Sequence, residues 1–215
     1  GILPDGFRRQ RLLLATDGSE FSHAPTEIAV ALASRFAATL DVMTAVEAAE
    51  DSELARARLA AATSEARRAG VATEEIVRLG KAPVKEVVGA ARAADANILV
   101  IGRRPPRGDL KERLVGDIAH NILAESPCHV LVAGWQSGMW QQRILLASDG
   151  GTASDAAAEL CGQIAKVCGV PVTIVSAVAN DRQREEAAAD AAHKAGLMRL
   201  EGVDCDCRVV LGAPA

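Results

Sequence analysis

The sequence has few aromatic residues and no excess of positive charge. Aromatic residues make up 2% of the 215-residue chain, and Tyr is absent. Proteins that bind single-stranded nucleic acid stack the bases on aromatic side chains, and most nucleic-acid-binding domains are strongly basic. This chain has 24 basic and 28 acidic residues, which give a formal net charge of −4. We therefore expect no nucleic-acid partner.

The sequence also lacks an apolar run long enough to cross a membrane, since a transmembrane helix needs about 20 apolar residues in succession. No basic and apolar leader opens the chain. Its five cysteines are an odd number, whereas the disulfide frameworks of secreted proteins usually contain an even one. No CxxC pair is present, so we expect small buried thiols and no metal site. These features predict a cytoplasmic protein without a membrane partner.

One segment of the sequence occurs twice. Residues 12–19 read LLLATDGS, and residues 144–151 read ILLASDGG, so that Asp17 aligns with Asp149. The same offset aligns residues 44–46 (TAV) with residues 176–178 (SAV). A repeat of this kind indicates two copies of one structural unit.

The repeat predicts the domain organisation. We expect a first domain over residues 1–133, a linker over residues 134–142 and a second domain over residues 143–215. The offset of the repeat would place the counterpart of Gly102 beyond Ala215. The second domain is therefore expected to be truncated after its third strand.

Within the first domain, apolar runs of strand length alternate with helical patterns, which is typical of βαβ units around a parallel sheet. The first helix is expected to begin at Ser22, as its cap, and the third at Pro83. The five predicted strands cover residues 12–15, 40–46, 76–79, 97–101 and 128–133. We predict an α/β fold with three Rossmann-like layers and a parallel sheet in the order 3-2-1-4-5, repeated in tandem.

The predicted strand order places a candidate site beside the first and fourth strands, because ligands of such folds bind where the winding direction changes. The loops there begin with Asp17-Gly18-Ser19 and with Gly102. The segment from Gly102 to Asp117 carries five basic and three acidic residues. Gly116, just before a helix, would let backbone N–H groups approach an anion. This pattern fits a phosphate-bearing ligand, and it fits an ordinary charged surface loop equally well.

Common catalytic and nucleotide-binding motifs are missing from these loops. The first loop reads DGSEFS and not GxGxxG, and no GK[ST] follows Gly102. Ser19 has no GxSxG setting for a hydrolase nucleophile. We therefore predict no catalytic residues.

The order of the motifs resembles that of the universal stress protein family. A strand ending in DGS, a later strand ending in Gly102, the sequence LKERLVG before a helix and a final CHVLV strand carry the resemblance. The doubled unit resembles the tandem form of that family. The resemblance implies an adenine nucleotide α-hydrolase-like fold, a role in the stress response, formation of homodimers and, in some members, binding of ATP or another adenine nucleotide.

The resemblance also implies roles for individual residues. Asp17 would lie beside the adenine and ribose, and the backbone of Ala45 would read the base. Ile101 and Gly102 would line the ribose, and Gly116 with the two residues after it would hold phosphate. Together with two arginines of the basic segment, the candidate nucleotide-binding residues are Asp17, Ala45, Ile101, Gly102, Arg103, Arg104, Gly116, Asp117 and Ile118.

The sequence departs from the family's phosphate loop in three ways. Pro105 replaces a glycine, the loop is one residue longer, and Asp117 stands where the family has Ser or Thr. At 4 Å, a carboxylate and a phosphate repel each other by about 4 kcal/mol at an effective dielectric near 20, or about three decades of affinity. Arg103 and Arg104 could offset part of this repulsion.

These departures predict a regulatory or protective module with a degenerate nucleotide-binding loop and no certain cofactor. Three alternatives stay open: a sensor that binds ATP or another small anionic ligand, a weak ATPase, and a purely structural dimerisation module.

Overall fold

The computed structural model describes residues 10–103 and 118–212. Of Asp117 it describes the backbone but not the side chain. The chain divides into two compact units, Gly1–Gly138 and Met139–Ala215. The domain boundaries expected from the repeat remain a prediction. No helix in the described parts of the chain is both long and apolar enough to cross a membrane.

The first unit alternates five strands with four helices. In chain order these are β1 (Arg11–Ala15), α1 (His23–Arg35), β2 (Thr39–Val46), α2 (Ser52–Arg68), β3 (Glu75–Leu79), α3 (Pro83–Ala93), β4 (Ile98–Arg103), α4 (Asp117–Glu125) and β5 (His129–Gly134). The third helix begins at Pro83 as predicted, because proline suits the first turn of a helix, where its missing N–H has no partner to lose.

All five strands of this unit are parallel, in the order β3-β2-β1-β4-β5. The predicted order is confirmed. Because β1 lies between β2 and β4, the connections wind in opposite directions on its two sides. The carboxyl ends of β1 and β4 therefore border a crevice.

The sheet is covered on both faces, which explains why its central strands are continuous apolar runs. Leu13, Met43 and Leu99 point to one face and form a buried cluster with residues of α3 and α4, such as Val87 and Ile122. Helices α1 and α2 contact each other and pack on the strands as well. The result is the three-layer α/β fold that the sequence predicts.

The second unit has three strands and two helices. They are β6 (Ile144–Ala147), α5 (Thr152–Cys168), β7 (Val172–Val178), α6 (Arg184–Leu200) and β8 (Cys205–Leu211). The strands are parallel in the order β6-β7-β8, so the three-stranded parallel sheet expected after residue 143 is confirmed.

The pairing register of the two sheets repeats with the offset seen in the sequence. Leu12 pairs with Leu40 in the first unit, and their counterparts in the repeat, Ile144 and Val172, pair in the second. The same offset relates the pairing of the second and third strands of each unit. The first three strands of the two units therefore have the same order and the same alignment.

Candidate functional site

A cleft lies at the carboxyl ends of β1 and β4, next to the start of α1. Its empty volume is about 360 Å³, counting the part that is open to solvent. The cleft is lined by Ala15, Thr16, Asp17, Ser19, Phe21, Ser22, Pro25, Gly102 and Arg103. The two loops that the sequence singled out thus meet in one cleft.

Hydrogen bonds within the β1–α1 turn hold the carboxylate of Asp17 in place. Its Oδ1 accepts a hydrogen bond from the backbone N–H of Ser19 at 3.0 Å and another from the hydroxyl of Ser22 at 3.0 Å. The hydroxyl of Thr16 accepts the N–H of Gly18 at 3.1 Å. Ser22 occupies the N-cap position of α1, as expected, but its side chain makes no cap hydrogen bond; its hydroxyl donates to Asp17 instead.

Gly18 is required at the centre of this turn for two reasons. Its φ of +66° is a conformation that side chains with a Cβ rarely adopt. A Cβ at this position would also lie 2.5 Å from the Cβ of Arg58, on α2. The turn can therefore approach α2 closely only because residue 18 has no side chain.

On the other side of the cleft, the end of β4 packs closely on α1. A Cβ at Gly102 would lie 3.1 Å from Cγ of Pro25, so a larger residue would press against that proline ring. The half-buried side chain of Arg103 also lines the cleft. An acidic and a basic side chain, Asp17 and Arg103, therefore border the same space.

The structure distributes the other predicted residues differently. Ile101 is buried in the core cluster under α3 and α4, and Ala45 lies at the end of β2, paired with Arg78. Neither is among the cleft-lining residues. Asp117 begins α4, where Ile118 is exposed.

Arg104 and Gly116, like Pro105, lie outside the described residues. The structure thus brings together three of the nine predicted residues, Asp17, Gly102 and Arg103, and describes no phosphate loop.

The cleft also contains an aromatic residue that is not among the predicted site residues. Phe21 lines it, and its ring packs edge-to-face against Trp135, with a centroid separation of 6.4 Å and an interplanar angle of 87°. Trp135 follows β5, far along the chain. The local sequence DGSEFS does place Phe21 between the carboxyl end of β1 and α1, which is the only signal that could have identified it.

The second unit contains the same turn. The Oδ1 of Asp149 accepts the N–H of Gly151 at 2.9 Å, and the hydroxyl of Ser148 accepts the N–H of Gly150 at 3.4 Å. Gly150 has a φ of +77°. Hydrogen bonds from Gly151 and then Ser154 lower the pKa of Asp149.

Beside this second turn lies a buried ion-pair network centred on Lys194. Its ammonium, with a side chain only 5% exposed, contacts Asp155 at 2.8 Å and also pairs with Asp190. The other carboxylate oxygen of Asp190 accepts the hydroxyl of Ser148 at 3.0 Å. Burial alone would lower the pKa of Lys194, but the hydrogen bonds to Asp155 and Asp190 outweigh it, so its pKa is raised.

The residues described by the structure contain no group of three or more His, Cys, Asp or Glu side chains that could hold a metal ion. All five cysteines are free thiols. Burial raises the pKa of the Cys161 thiol to about 11, and the neighbouring Cys205 adds to that shift. A thiol with such a pKa is a poor nucleophile at neutral pH, so Cys161 is a packing residue.

A five-stranded parallel sheet with a polar cleft at its switch point defines an α/β protein of Rossmann-like type. The match to a sequence family is more specific. The model of the universal stress protein family matches residues 8–134, and the chain belongs to that family. No curated protein matches the chain.

Solved structures agree with this assignment. A universal stress protein in complex with cAMP is 29% identical, with a TM-score of 0.51, over 60% of this chain and 98% of that one. A universal stress protein from Archaeoglobus fulgidus DSM 4304 is 21% identical, with a TM-score of 0.77, over 97% of this chain and 80% of that one. Another from Archaeoglobus fulgidus is 24% identical, with a TM-score of 0.51, over 58% and 98%. The two Archaeoglobus likenesses concern the fold.

Proposed function

We propose that this chain is a cytoplasmic universal stress protein of tandem type, a regulatory or protective module without dedicated catalysis. Its first unit binds an adenine nucleotide, such as ATP, in the cleft between β1 and β4. The binding is weak compared with that of family members that keep the full phosphate loop.

One observation carries the proposal: Asp17, Gly102 and Arg103 line a single cleft at the switch point of the sheet. The carboxylate of Asp17 is oriented by Ser19 and Ser22, and carboxylate oxygens accept hydrogen bonds from groups such as ribose hydroxyls or a base amine. The guanidinium of Arg103 supplies positive charge for a phosphate. The 29% identical protein in complex with cAMP supports an adenine nucleotide as the ligand class.

The weakness of binding follows from the start of α4. Helix N-termini favour anions, but the residue that begins α4 is itself acidic, Asp117. The expected repulsion of about 4 kcal/mol against a phosphate at 4 Å corresponds to about three decades of affinity.

The absence of dedicated catalysis is proposed from the chemistry of the cleft lining. Among its described residues, the hydroxyl of Ser22 donates to Asp17, whereas Ser19 donates only its backbone N–H to that carboxylate, and no histidine or cysteine lines the cleft. The described cleft lining therefore contains no serine or cysteine nucleophile paired with a histidine base. A weak ATPase would show phosphate release that disappears in Asp17→Ala.

We further propose a homodimer, as the family resemblance implies. Strand β5 is an edge of the five-stranded sheet, and edge strands carry backbone groups that can pair with another chain. Sedimentation equilibrium of the whole chain should give twice the monomer mass. A monomer throughout the micromolar concentration range would contradict this.

The repeat supplies a matched control for the nucleotide site. Asp17 and Asp149 hold the same position in the same turn, so Asp17→Ala and Asp149→Ala remove equivalent carboxylates. In calorimetric titration with ATP, we expect Asp17→Ala to weaken binding at least tenfold and Asp149→Ala to change it less than twofold. Loss of binding in Asp149→Ala alone would assign the ligand to the second unit, and no heat at millimolar ATP with the unmodified protein would refute the proposal.

A further inference from the structure

We propose that Arg58 is a specificity-determining residue of the first unit's cleft, which selects a ligand carrying negative charge, and that the opposite charge at the corresponding turn of the second unit disfavours such a ligand. The chain would then bind one anionic nucleotide, in the first unit. This inference rests on the proposed function and adds to it a residue whose charge favours an anionic ligand in the first unit.

The first observation is the position of Arg58 on the Asp17 turn. The Cβ, Cγ and Cδ atoms of Arg58 would lie 2.5, 3.1 and 3.3 Å from a Cβ at Gly18. The aliphatic part of the side chain therefore lies along the turn, and the guanidinium begins at the atom bonded to Cδ. The neighbours of Gly18 on both sides, Asp17 and Ser19, line the cleft. Arg58 is exposed and is not itself among the cleft-lining residues, so its permanent positive charge lies on the α2 side of the turn, next to residues that line the cleft.

The second observation is the residue at the same place in the second unit. The alignment that matches Gly18 with Gly150 also matches Arg58 with Asp190. The Cγ of Asp190 would lie 3.9 Å from a Cβ at Gly150. The turn is the same in both units, but the charge beside it is opposite. This contrast indicates that residue 58 is not needed to form the turn, because the turn also forms beside a carboxylate.

The third observation is that negative charge exceeds positive charge around the second unit's turn. Asp190 accepts hydrogen bonds from Lys194 and from the hydroxyl of Ser148, and Lys194 also contacts Asp155. The residue of the first unit that corresponds to Lys194 is Ala62, which has no charge. With three carboxylates, those of Asp149, Asp155 and Asp190, around one ammonium, this turn repels an anionic ligand. The first unit's turn also has one carboxylate, that of Asp17, but Arg58 and Arg103 lie near it, so its balance of charge favours an anion.

The test compares a charged and an uncharged ligand in matched variants. Arg58→Glu reverses the charge at the cleft, and Arg56→Glu makes the same change at another exposed position of α2. Binding of ATP and of adenosine to the whole chain is measured by equilibrium dialysis at low ionic strength. We expect about one ATP per chain, an ATP affinity at least tenfold lower in Arg58→Glu, and an adenosine affinity changed less than twofold. Arg56→Glu should change neither affinity more than twofold.

The other outcomes separate this inference from the proposed function. If Arg58→Glu lowers the affinities for ATP and adenosine equally, Arg58 only supports the turn. If it leaves the ATP affinity unchanged, Arg58 does not interact with the ligand. Either result overturns the inference and leaves the proposed nucleotide site unaffected. Two ATP molecules per chain would overturn the part that concerns the second unit. If neither ligand binds the unmodified protein, the proposed function fails and the inference with it. Should Arg58→Glu fold poorly by circular dichroism, Arg58→Gln keeps the stem and must still lose ATP affinity selectively.

Discussion

Replacing Lys194 should destabilise the second unit far more than replacing an exposed lysine of the same unit. The Lys194 ammonium is buried between Asp155 and Asp190. Removing one partner of a buried ion pair costs about 3–5 kcal/mol, because the other charge stays desolvated. The Asp155 and Asp190 side chains are 60% and 26% exposed, so water can solvate them in part. For Lys194→Met, which keeps most of the apolar stem, we therefore expect a smaller loss of about 2 kcal/mol, between the values for buried and exposed pairs.

A second variant separates the charge from the packing. Lys194→Ala also removes three methylene groups from a buried position, at about 0.8 kcal/mol each. We expect a total loss of about 4 kcal/mol for Lys194→Ala, from the ion pairs and the stem together. The difference between the two variants thus measures the packing of the stem, and the loss in Lys194→Met measures the ion pairs.

Urea unfolding followed by tryptophan fluorescence can observe the second unit selectively. The chain has two tryptophans and no tyrosine, so in a Trp135→Phe background Trp140 is the single reporter and belongs to the second unit. The matched control is Lys166→Met. The Lys166 side chain is 53% exposed and pairs with Glu201 at 2.9 Å, and exposed pairs contribute about 0–1 kcal/mol. Equal stability of Lys194→Met and Lys166→Met would refute the reasoning.

Three further predictions concern pH, the first turn and the aromatic pair. The hydrogen bond from Lys194 lowers the pKa of Asp190 in the folded protein below its unfolded value of 3.8. The ionised Asp190 therefore stabilises the fold fully above pH 3.8, and this contribution is lost as the pH falls through the folded-state pKa. The free energy of unfolding, measured in urea at decreasing pH, should show this loss in the unmodified protein and not in Lys194→Met. Gly18→Ala should cost about 1–2 kcal/mol more in urea than Gly70→Ala, since both have positive φ but only the first meets a neighbouring side chain. ATP should change the emission of Trp135 in a Trp140→Phe variant, because Trp135 packs on a ring that lines the cleft; unchanged emission at saturating ATP would contradict this.

The strand order could be predicted because it follows from local patterns and a general rule. Residues 12–15 and 97–101 are short apolar runs of the kind that only a doubly covered sheet buries, and right-handed crossovers leave few orders for them. The meeting of Asp17 with Gly102 then follows from the positions of β1 and β4. These features depend on the backbone, which the repeat and the periodicity describe well.

The side-chain partners within the site could not be predicted in the same way. Nothing near Ser22 in the sequence shows whether its hydroxyl caps a helix or donates to Asp17, because both partners are within reach. The pairing of Phe21 with Trp135, and of Ser148 with Asp190, depends on tertiary contacts between distant segments. Periodicity identifies the buried face of a helix but not the charge that a particular buried residue will meet.

The two glycine turns have a consequence for reading other duplicated chains of this family. Gly18 and Gly150 adopt the same backbone conformation, although one turn lies beside an arginine and the other beside an aspartate. An Asp-Gly pair after the first strand of a repeat therefore indicates that a turn forms there. It does not indicate how many ligand-binding clefts the chain has. What differs between the two turns is the residue on the second helix of each unit, Arg58 in one and Asp190 in the other, and the two turns keep the same hydrogen-bonding pattern with either charge beside them.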